Sequence, residues 1–566
     1  MRISFRHLAA FAVLAPVAAA TIARGDLAAP PAAFQKLAAV YCAECHDAET
    51  HEGGLNLAAL AWQPAEPLNF DRWVKVFDRV ERGEMPPEAE PRPPHPERDA
   101  MLAALGGALR SANRDVQRQQ GRVVLRRLNR VEYENTLHDL LGIDLPLRDI
   151  LPEETPLEGF DTVAEGLRLS PLHMEKYLEA ADAALDAAIR LDRPPERIAQ
   201  RFLYKEQQGI RKSLPQEHAM CRELDDAIVL FSDASWITKV FGLNLRDTGR
   251  YRLRVSGWAF QSDRPVVLRL YAGDYGRGTI RLLGYFDMPP GQPREVEWVA
   301  RLNQGEYLYP APDDLQQPEM GPGLYQTGGQ KWTGAGLALQ WIEIEGPLVE
   351  RWPPDSVERL FPGVAVEPLA KPEWRGSGGN RRQRVSKLAP ADAKADLRRV
   401  IERLATRAFR RPLEASEADG LVKLAEDALD DGKSFEEAAR MGFRGVLTAP
   451  QFLLFDERPG KLDDYALASR LSYFLWSTMP DDELLAAAAE GKLSQPDRLR
   501  SLVERMLASP KARGLVENFL GQWLELRKID ATMPDRRLYP EFDELLKLSM
   551  VEETERFFQT LLAEDL

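Results

Sequence analysis

The side chains most suited to chemistry in this 566-residue chain stand together in Cys42-Ala43-Glu44-Cys45-His46. Two cysteines separated by two residues and followed at once by histidine form the attachment signature of a c-type haem. The thiols bond to the haem vinyl groups, and the adjacent imidazole becomes the proximal ligand of the iron. The spacing therefore predicts one covalently attached haem c, held by Cys42 and Cys45, with His46 as a metal ligand.

The alternative for the same residues is a bare dithiol or half of a zinc site. A structural zinc site takes four ligands, usually as two closely spaced pairs. The chain has three cysteines and seven histidines, and the third cysteine, Cys221, belongs to no second C-x-x-C. The sequence therefore favours haem over zinc and predicts that Cys221 is a buried thiol.

A haem that transfers electrons needs a second axial ligand, and methionine is favoured because its thioether raises the reduction potential. The candidate is Met85 in Gly83-Glu84-Met85-Pro86-Pro87, a stiff segment that follows a predicted helix. Three other side chains remain as alternative ligands: His51, His95 and Met101. His51 lies close to the proximal histidine in sequence, and His95 lies in a proline-rich loop. Met101 fits the apolar face of a helix, where methionine usually packs in the core.

Two predicted helices must position these ligands. Trp73, Val76 and Val80 recur at helical spacing just before Met85, so this helix would turn an apolar face towards the macrocycle. A second helix is predicted over about residues 97–109, again with apolar residues at helical spacing.

Together with the turn Gly53-Gly54-Leu55-x-Leu57, these motifs resemble the planctomycete-type cytochrome c family. The resemblance implies thioether links at Cys42 and Cys45, His46 as the proximal ligand and Met85 as the distal ligand. It also implies a small α-helical fold and one-electron transfer as the activity.

Most of the remaining chain resembles planctomycete-specific domains of unknown function. Residues 126–136 and 159–161 resemble the first of them, 447–453 a second, and 465–481 with 519–524 a further one. Because members of this family normally continue with two more small domains, the sequence is expected to be incomplete at its carboxyl end.

The amino terminus predicts export. Arg2 and Arg6 precede an apolar run from Leu8 to Ala20 that ends in small residues, which is the order of a secretory signal peptide. A run of about 13 residues is too short to span a bilayer, and we expect no membrane span after signal cleavage. Because haem is attached covalently outside the cytoplasm in bacteria, we expect a periplasmic or cell-envelope location.

The net charge of −14 and the pI near 5.3 argue against nucleic acid as a partner, which needs a concentrated basic face. An acidic surface suits a basic redox partner in the periplasm, although it also serves simple solubility.

In the middle of the chain, the spacing of apolar residues changes from helical periodicity to strict alternation with polar residues. Four runs have the alternation of half-buried strands: 251–255, 266–271, 280–286 and 296–302. Residues 337–344 change their apolar phase near Trp341, which predicts a β-bulge or a strand buried on both faces. These strands predict an antiparallel sandwich of the jelly-roll type, and fold analogy makes polysaccharide an alternative partner.

The predicted fold class is therefore multidomain and mainly α, with a central all-β domain. The predicted organisation is a signal peptide at 1–23, a cytochrome c domain at 30–112, a helical domain at 122–192, a β-sandwich at 226–350, a linker at 364–390, a helical domain at 391–457 and a truncated helical domain at 460–566.

The sequence predicts an exported c-type haem protein that transfers single electrons, an electron carrier more than a catalyst, and it assigns no catalytic residue. One alternative is an envelope oxidoreductase in which the haem is a relay for a site in the helical domains. The other is a carbohydrate-binding envelope protein that acts through its β-sandwich.

Overall fold

The structure is a computed structural model. It describes residues 29–120, 125–232, 238–274, 279–313, 315, 323–375, 382–455, 457, 461–532, 534, 535, 538, 539, 542 and 544–564. The predicted signal peptide lies outside these residues. The chain divides into two compact units, an N-terminal unit of residues 1–123 with 458–462 and a large unit of residues 124–457 with 463–566.

The N-terminal unit contains three helices: α1 Ala32–Tyr41, α2 Pro67–Glu81 and α3 His95–Gln120. Trp73 of α2 is at the centre of its core, edge-on to the rings of Phe34 and Trp62 at centroid distances of 5.1 and 4.9 Å. Its Nε1–H donates to the carbonyl of Ala61 at 3.0 Å, which gives the buried indole its polar partner. Both predicted helices are present, and α3 is longer than expected.

The large unit begins with α4 Arg130–Leu141 and α5 Pro171–Ala188. Asn129 and Glu132 cap α4 reciprocally, each side chain accepting the other residue's main-chain N–H. Ser170 caps α5, with Pro171 in its first turn, as the sequence predicts.

The central part is built of antiparallel strands with two short helices. In chain order the elements are β1 Ile198–Leu203, α6 Gln208–Ser213, β2 Cys221–Glu223, β3 Ile228–Leu230, β4 Gly249–Phe260, β5 Val266–Asp274, β6 Thr279–Met288, β7 Arg294–Leu302, β8 Tyr307–Pro312, α7 Leu324–Thr327 and β9 Gly336–Gly346. One sheet has the order β2-β3-β9-β4-β7, with β1 also on β9, and the other has the order β6-β5-β8. Leu253 and Ile344 of the first sheet share a core with Leu268 and Leu270 of the second. The predicted central β domain is therefore confirmed, and its strands begin at β1, before residue 226.

The predicted bulge lies in β9. Ser256 of β4 pairs with Trp341 and Gly257 pairs with Leu339, so the register skips Gln340. The strand approaches so closely here that a Cβ on Gly257 would lie 2.5 Å from the carbonyl oxygen of Ala338. Only glycine fits this position without a shift of the main chain.

After α8 Asp355–Leu360, the chain forms β10 Ala365–Arg375 and β11 Arg382–Ala389, which pair as an antiparallel ribbon. The described residues of the segment 364–390, which was predicted to be a linker, therefore lie mostly in two strands. The glycine- and serine-rich composition that indicated a linker comes from residues 376–380, which lie outside the described residues. The flanking sequences pair as strands, with Glu367 facing Lys387 in the register and within 3.5 Å of it.

The rest of the large unit is helical. Its helices are α9 Ala393–Ala408, α10 Ala415–Asp430, α11 Phe435–Thr448, α12 Pro450–Leu453, α13 Asp464–Trp476, α14 Asp482–Ala489, α15 Pro496–Ala508, α16 Arg513–Leu515, α17 Gly521–Trp523 and α18 Glu544–Glu564. One apolar core joins α4 and α5 to α8–α11, and another lies among α13, α14 and α15.

The multidomain, mainly α fold with a central β domain is thus confirmed, while the other predicted domain boundaries stay predictions. Within the described ranges, no helix has both the length and the apolar character that a membrane span requires.

Candidate functional site

The cysteine pair lies at the carboxyl end of α1. Cys42 is the cap residue of this helix, and its N–H donates to the carbonyl of Ala38 at 3.0 Å. The chain then turns, so that the N–H of His46 donates to the carbonyl of Cys42, also at 3.0 Å. Cys42 is half-buried against the core, Cys45 is exposed, and both thiols are free. The two cysteines and the histidine therefore lie in one turn, with their sulfurs available for thioether bonds.

The zinc alternative finds no support in this geometry. Among the described residues, no three histidine, cysteine, aspartate or glutamate side chains come together as metal ligands. Burial, and then the neighbouring Cys45 thiol, raises the pKa of Cys42 above its usual value.

A hydrogen bond fixes the orientation of the His46 ring. Its Nδ1 lies 3.3 Å from the carbonyl oxygen of Leu55, which can only accept, so Nδ1 carries the proton. Nε2 is then the nitrogen that remains for a metal, and the hydrogen bond raises its basicity. Gly53 and Gly54 have φ values of 63° and 74°, and this left-handed turn brings the Leu55 carbonyl back to the ring.

The segment that carries Met85 is attached to the end of α2. The Met85 N–H donates to the carbonyl of Arg79 at 3.1 Å, after a turn at Gly83 with φ of 71°. Arg92 holds the same segment from its other side, donating from Nη2 to the Gly83 carbonyl and from Nε to the Pro86 carbonyl, both at 3.1 Å. The Met85 side chain is 36% exposed and so is not committed to the apolar core.

The alternative distal ligands are placed differently. Met101 is fully buried within α3 and packs in the core, which is the role that its helical spacing predicts. His51 and His95 are both exposed, the first at a turn and the second at the start of α3. Among the described methionines of this unit, Met85 is the one whose side chain is not buried, and its role as a ligand stays a prediction.

Apolar side chains around the attachment segment remain half-exposed: Leu57, Leu60, Val76, Phe77 and Leu102. They pack on one side against the same core as Cys42. A large flat apolar group would cover the surface that they leave in water. With two free thiols and an oriented imidazole beside them, these residues fit haem c.

Two contributors to this site were not predicted from the sequence. One is Arg92, whose guanidinium bridges two main-chain carbonyls of the Met85 segment. The other is the carbonyl of Leu55, which orients His46. The glycine pair before Leu55 indicated a turn that could bring the Leu55 carbonyl to His46. An arginine among prolines does not by itself indicate a role in the site.

Glu134 and His138 of α4, spaced as a helical pair, are not an acid–base pair. Burial alone would raise the pKa of the Glu134 carboxyl, but hydrogen bonds from Arg148 and Leu147 hold it below its usual value. His138 bonds through Nε2 to the carbonyl of Leu145 at 2.6 Å. Both side chains therefore hold the loop that follows α4.

The arginines in and just after α9 are structural, in two different ways. Arg407 pairs with Asp482, and Arg411 pairs with Glu417. Arg410 is buried and instead donates to main-chain carbonyls at the end of α12. These contacts tie α9 to its neighbours.

Four family models match separate parts of the chain. They are Planctomycete cytochrome C at residues 42–89, and the proteins of unknown function DUF1587 at 126–190, DUF1595 at 396–457 and DUF1592 at 462–566. No curated protein matches the chain. Among solved structures, the C-terminal CBM6 of LamC, a marine laminarinase from Zobellia galactanivorans, matches at 12% identity over 26% of this chain and 100% of that one, with a TM-score of 0.16. We infer nothing from a likeness at that score.

The cytochrome match spans both the Cys42–His46 turn and the Met85 segment, together with four of the five half-exposed apolar residues, while Leu102 lies outside it. The three other matches account for helices of the large unit. The chain is thus similar to planctomycete families in four separate regions, one that matches a planctomycete cytochrome c and three that match domains of unknown function.

Proposed function

We propose that this protein is an exported electron carrier that binds one haem c through Cys42, Cys45, His46 and Met85. The hydrogen bond from His46 Nδ1 to the Leu55 carbonyl carries this proposal, because it leaves Nε2 oriented for a metal. When bound, haem c supplies a reversible one-electron couple. Each residue of the site then has a distinct task.

The two cysteines anchor the group covalently, so it is retained through every change of oxidation state. His46 is the proximal ligand, and the Leu55 carbonyl makes its imidazole a stronger donor. The apolar residues of α2, Val76 and Phe77, exclude water from one side and so favour the less charged state.

Met85 is the distal ligand. Its segment is held by main-chain bonds to Arg79 and by the Arg92 guanidinium, so the thioether is presented from an ordered segment. Preorganisation of this kind reduces the rearrangement that accompanies a change of charge. Arg92 is therefore a positioning residue, since it contacts the ligand's main chain and not the metal.

The electron passes to or from a periplasmic redox partner. Glu44, Glu49 and Glu52 are exposed around the attachment turn. Carboxylates placed there favour a partner with a basic surface, because complementary charge speeds the encounter. Export to the periplasm or cell envelope follows from the amino-terminal sequence and from the place where haem is attached.

The test is an absorption spectrum of the full-length, exported protein in its ferric state. We expect the methionine–iron charge-transfer band in the wild type, its loss in Met85→Ala, and its retention in Met101→Leu. Met101 is the matched control because it belongs to the same unit and is fully buried in the core. The mass of the Cys42–Cys45 peptide checks that haem is attached in all three proteins.

A band that survives Met85→Ala would refute the ligand assignment. Loss of the band in Met101→Leu alone would assign the ligand to α3 instead. A potentiometric titration of the same samples would then show a lower reduction potential in whichever variant lost its thioether ligand.

A further inference from the structure

A cavity of about 230 Å³ opens on the large unit between α4, α8, α9 and α14. Its floor is apolar and is formed by Leu140, Leu360, Val400 and Leu404, which are 1–5% exposed. These four side chains come from three helices that share one core. The floor is therefore rigid, and its shape is set by packing that the fold requires.

Three guanidinium groups surround this floor, from Arg359, Arg403 and Arg407, and one carboxylate joins them, from Asp482. Arg403 and Arg407 are one helical turn apart on α9, on the same face as Val400 and Leu404. Three cations and one anion give the lining a net charge of +2, in a protein whose overall charge is −14. The cavity is thus locally opposite in sign to the molecule.

The three arginines differ in whether a neighbouring group already neutralises their charge. Arg407 pairs with Asp482, whose side chain is 79% exposed. Arg359 donates from Nη1 to the carbonyl of Asp139 at 2.6 Å, which holds the group and leaves it a net positive charge. Within the part of the chain that the structure describes, Arg403 forms no ion pair and no hydrogen bond.

We propose that this cavity binds a small organic anion, a carboxylate that carries a short unbranched apolar body. The arginines offer paired N–H donors with the geometry that a carboxylate accepts, and the leucine and valine floor accepts the apolar body. The volume lies below the roughly 300–1,000 Å³ of sites for drug-sized ligands, so the ligand has few atoms. Inorganic phosphate would satisfy the guanidiniums but leave the floor uncovered.

Every residue that lines this cavity belongs to the large unit. Anion binding is measured by calorimetry and haem ligation by absorption, so the two proposals succeed or fail separately.

The test is isothermal titration calorimetry of the full-length protein at low ionic strength with acetate, butyrate, hexanoate, inorganic phosphate and hexylamine. We expect one hexanoate per chain, with affinity rising about fourfold for each methylene that the floor buries. Phosphate and acetate should bind more weakly, and hexylamine, which has the same body and the opposite charge, should not bind.

Arg403→Gln should weaken hexanoate binding about tenfold, because it removes one charge-assisted contact. The residue is exposed and without a partner among the described residues, so the fold should tolerate the change. The matched control is Arg500→Gln, an exposed helical arginine outside the cavity for which the described residues likewise provide no partner. Failure of hexanoate to bind, equal affinity for acetate and hexanoate, or equal effects of the two variants would each overturn the proposal.

Discussion

The ion pair between Arg411 and Glu417 ties the turn after α9 to the first turn of α10. The guanidinium and the carboxylate form two parallel hydrogen bonds, of 2.9 and 2.8 Å. The same carboxylate accepts the N–H of Glu414 at 3.0 Å and so completes the cap of α10. The Glu417 side chain is 14% exposed, so this ion pair is one of the better shielded ion pairs of the large unit.

These contacts make the stability of α10 depend on pH. The Arg411 hydrogen bonds lower the pKa of Glu417 to about 2, whereas the usual value is 4.5. At about 1.36 kcal/mol for each pH unit, that difference sets an upper bound of about 3.4 kcal/mol. Water reaches part of the pair and screens it, so we expect about 1.5 kcal/mol. Because the folded pKa is the lower one, this stability is present above pH 4.5 and is lost as the pH falls towards 2.

The perturbation is Glu417→Gln, which removes the charge but can still accept the cap hydrogen bond. The assay is amide hydrogen exchange of α10 in the full-length protein, since a multidomain chain has no single free energy of unfolding. At pH 7 the variant should show about tenfold lower protection, and the difference should narrow below pH 4.5. The control is Glu426→Gln, because Glu426 lies on the same helix and forms no ion pair among the described residues.

Equal protection of wild type and Glu417→Gln at pH 7 would refute the reasoning, since the pair would then contribute nothing. A difference that stayed constant from pH 7 down to pH 3.5 would refute it as well, because the effect would come from packing and not from charge. A similar loss in Glu426→Gln would show a general response of α10 to lost charge.

Two further changes test the large unit. Glu154→Gln should lower the stability of α4, measured by amide hydrogen exchange, by about 3 kcal/mol, because the carboxylate pairs with Arg127 at 3.0 Å in the interior and the guanidinium would stay buried without a counter-charge. Glu153→Gln, with a side chain 83% exposed, is the control and should change this stability by less than about 0.5 kcal/mol. Gly142→Ala should lower the stability of α4 by about 1 kcal/mol, because Gly142 has φ of 70° and a Cβ would lie 3.3 Å from Cζ of Arg359. The measurement is amide hydrogen exchange of α4, and unchanged exchange would show that the end of the helix relaxes freely.

Much of the fold follows from periodicity in the sequence. The alternation of 251–255 and the phase change near Trp341 predicted a strand and a bulge, and β4 and β9 show both. The ribbon of β10 and β11 was missed because glycine and serine between the strands dominated the composition of the segment. Composition averages over a window, whereas pairing depends on the register of individual residues.

The side chains of the proposed haem site could be predicted from the sequence, but the main-chain contacts that hold them could not. Cys42, Cys45 and His46 were predicted from a motif, because covalent attachment demands particular side chains at fixed spacing. Met85 was predicted from its proline-flanked segment, and the roles of all four residues stay predictions. Arg92 and the Leu55 carbonyl were missed, since they act through main-chain atoms that every residue possesses. A sequence shows which side chains can do chemistry, but it does not show which carbonyl will hold them.

The cavity of the large unit could not be predicted from the sequence, because its lining residues are far apart along the chain. Its lining runs from Leu140 to Asp482, and only the α9 members share a recognisable helical spacing. Arg407 forms an ion pair with Asp482, and that pair is also one wall of a cavity with excess positive charge. Structural and binding roles are therefore not exclusive in this helical part, because an arginine that fastens two helices still presents donors to whatever lies between them.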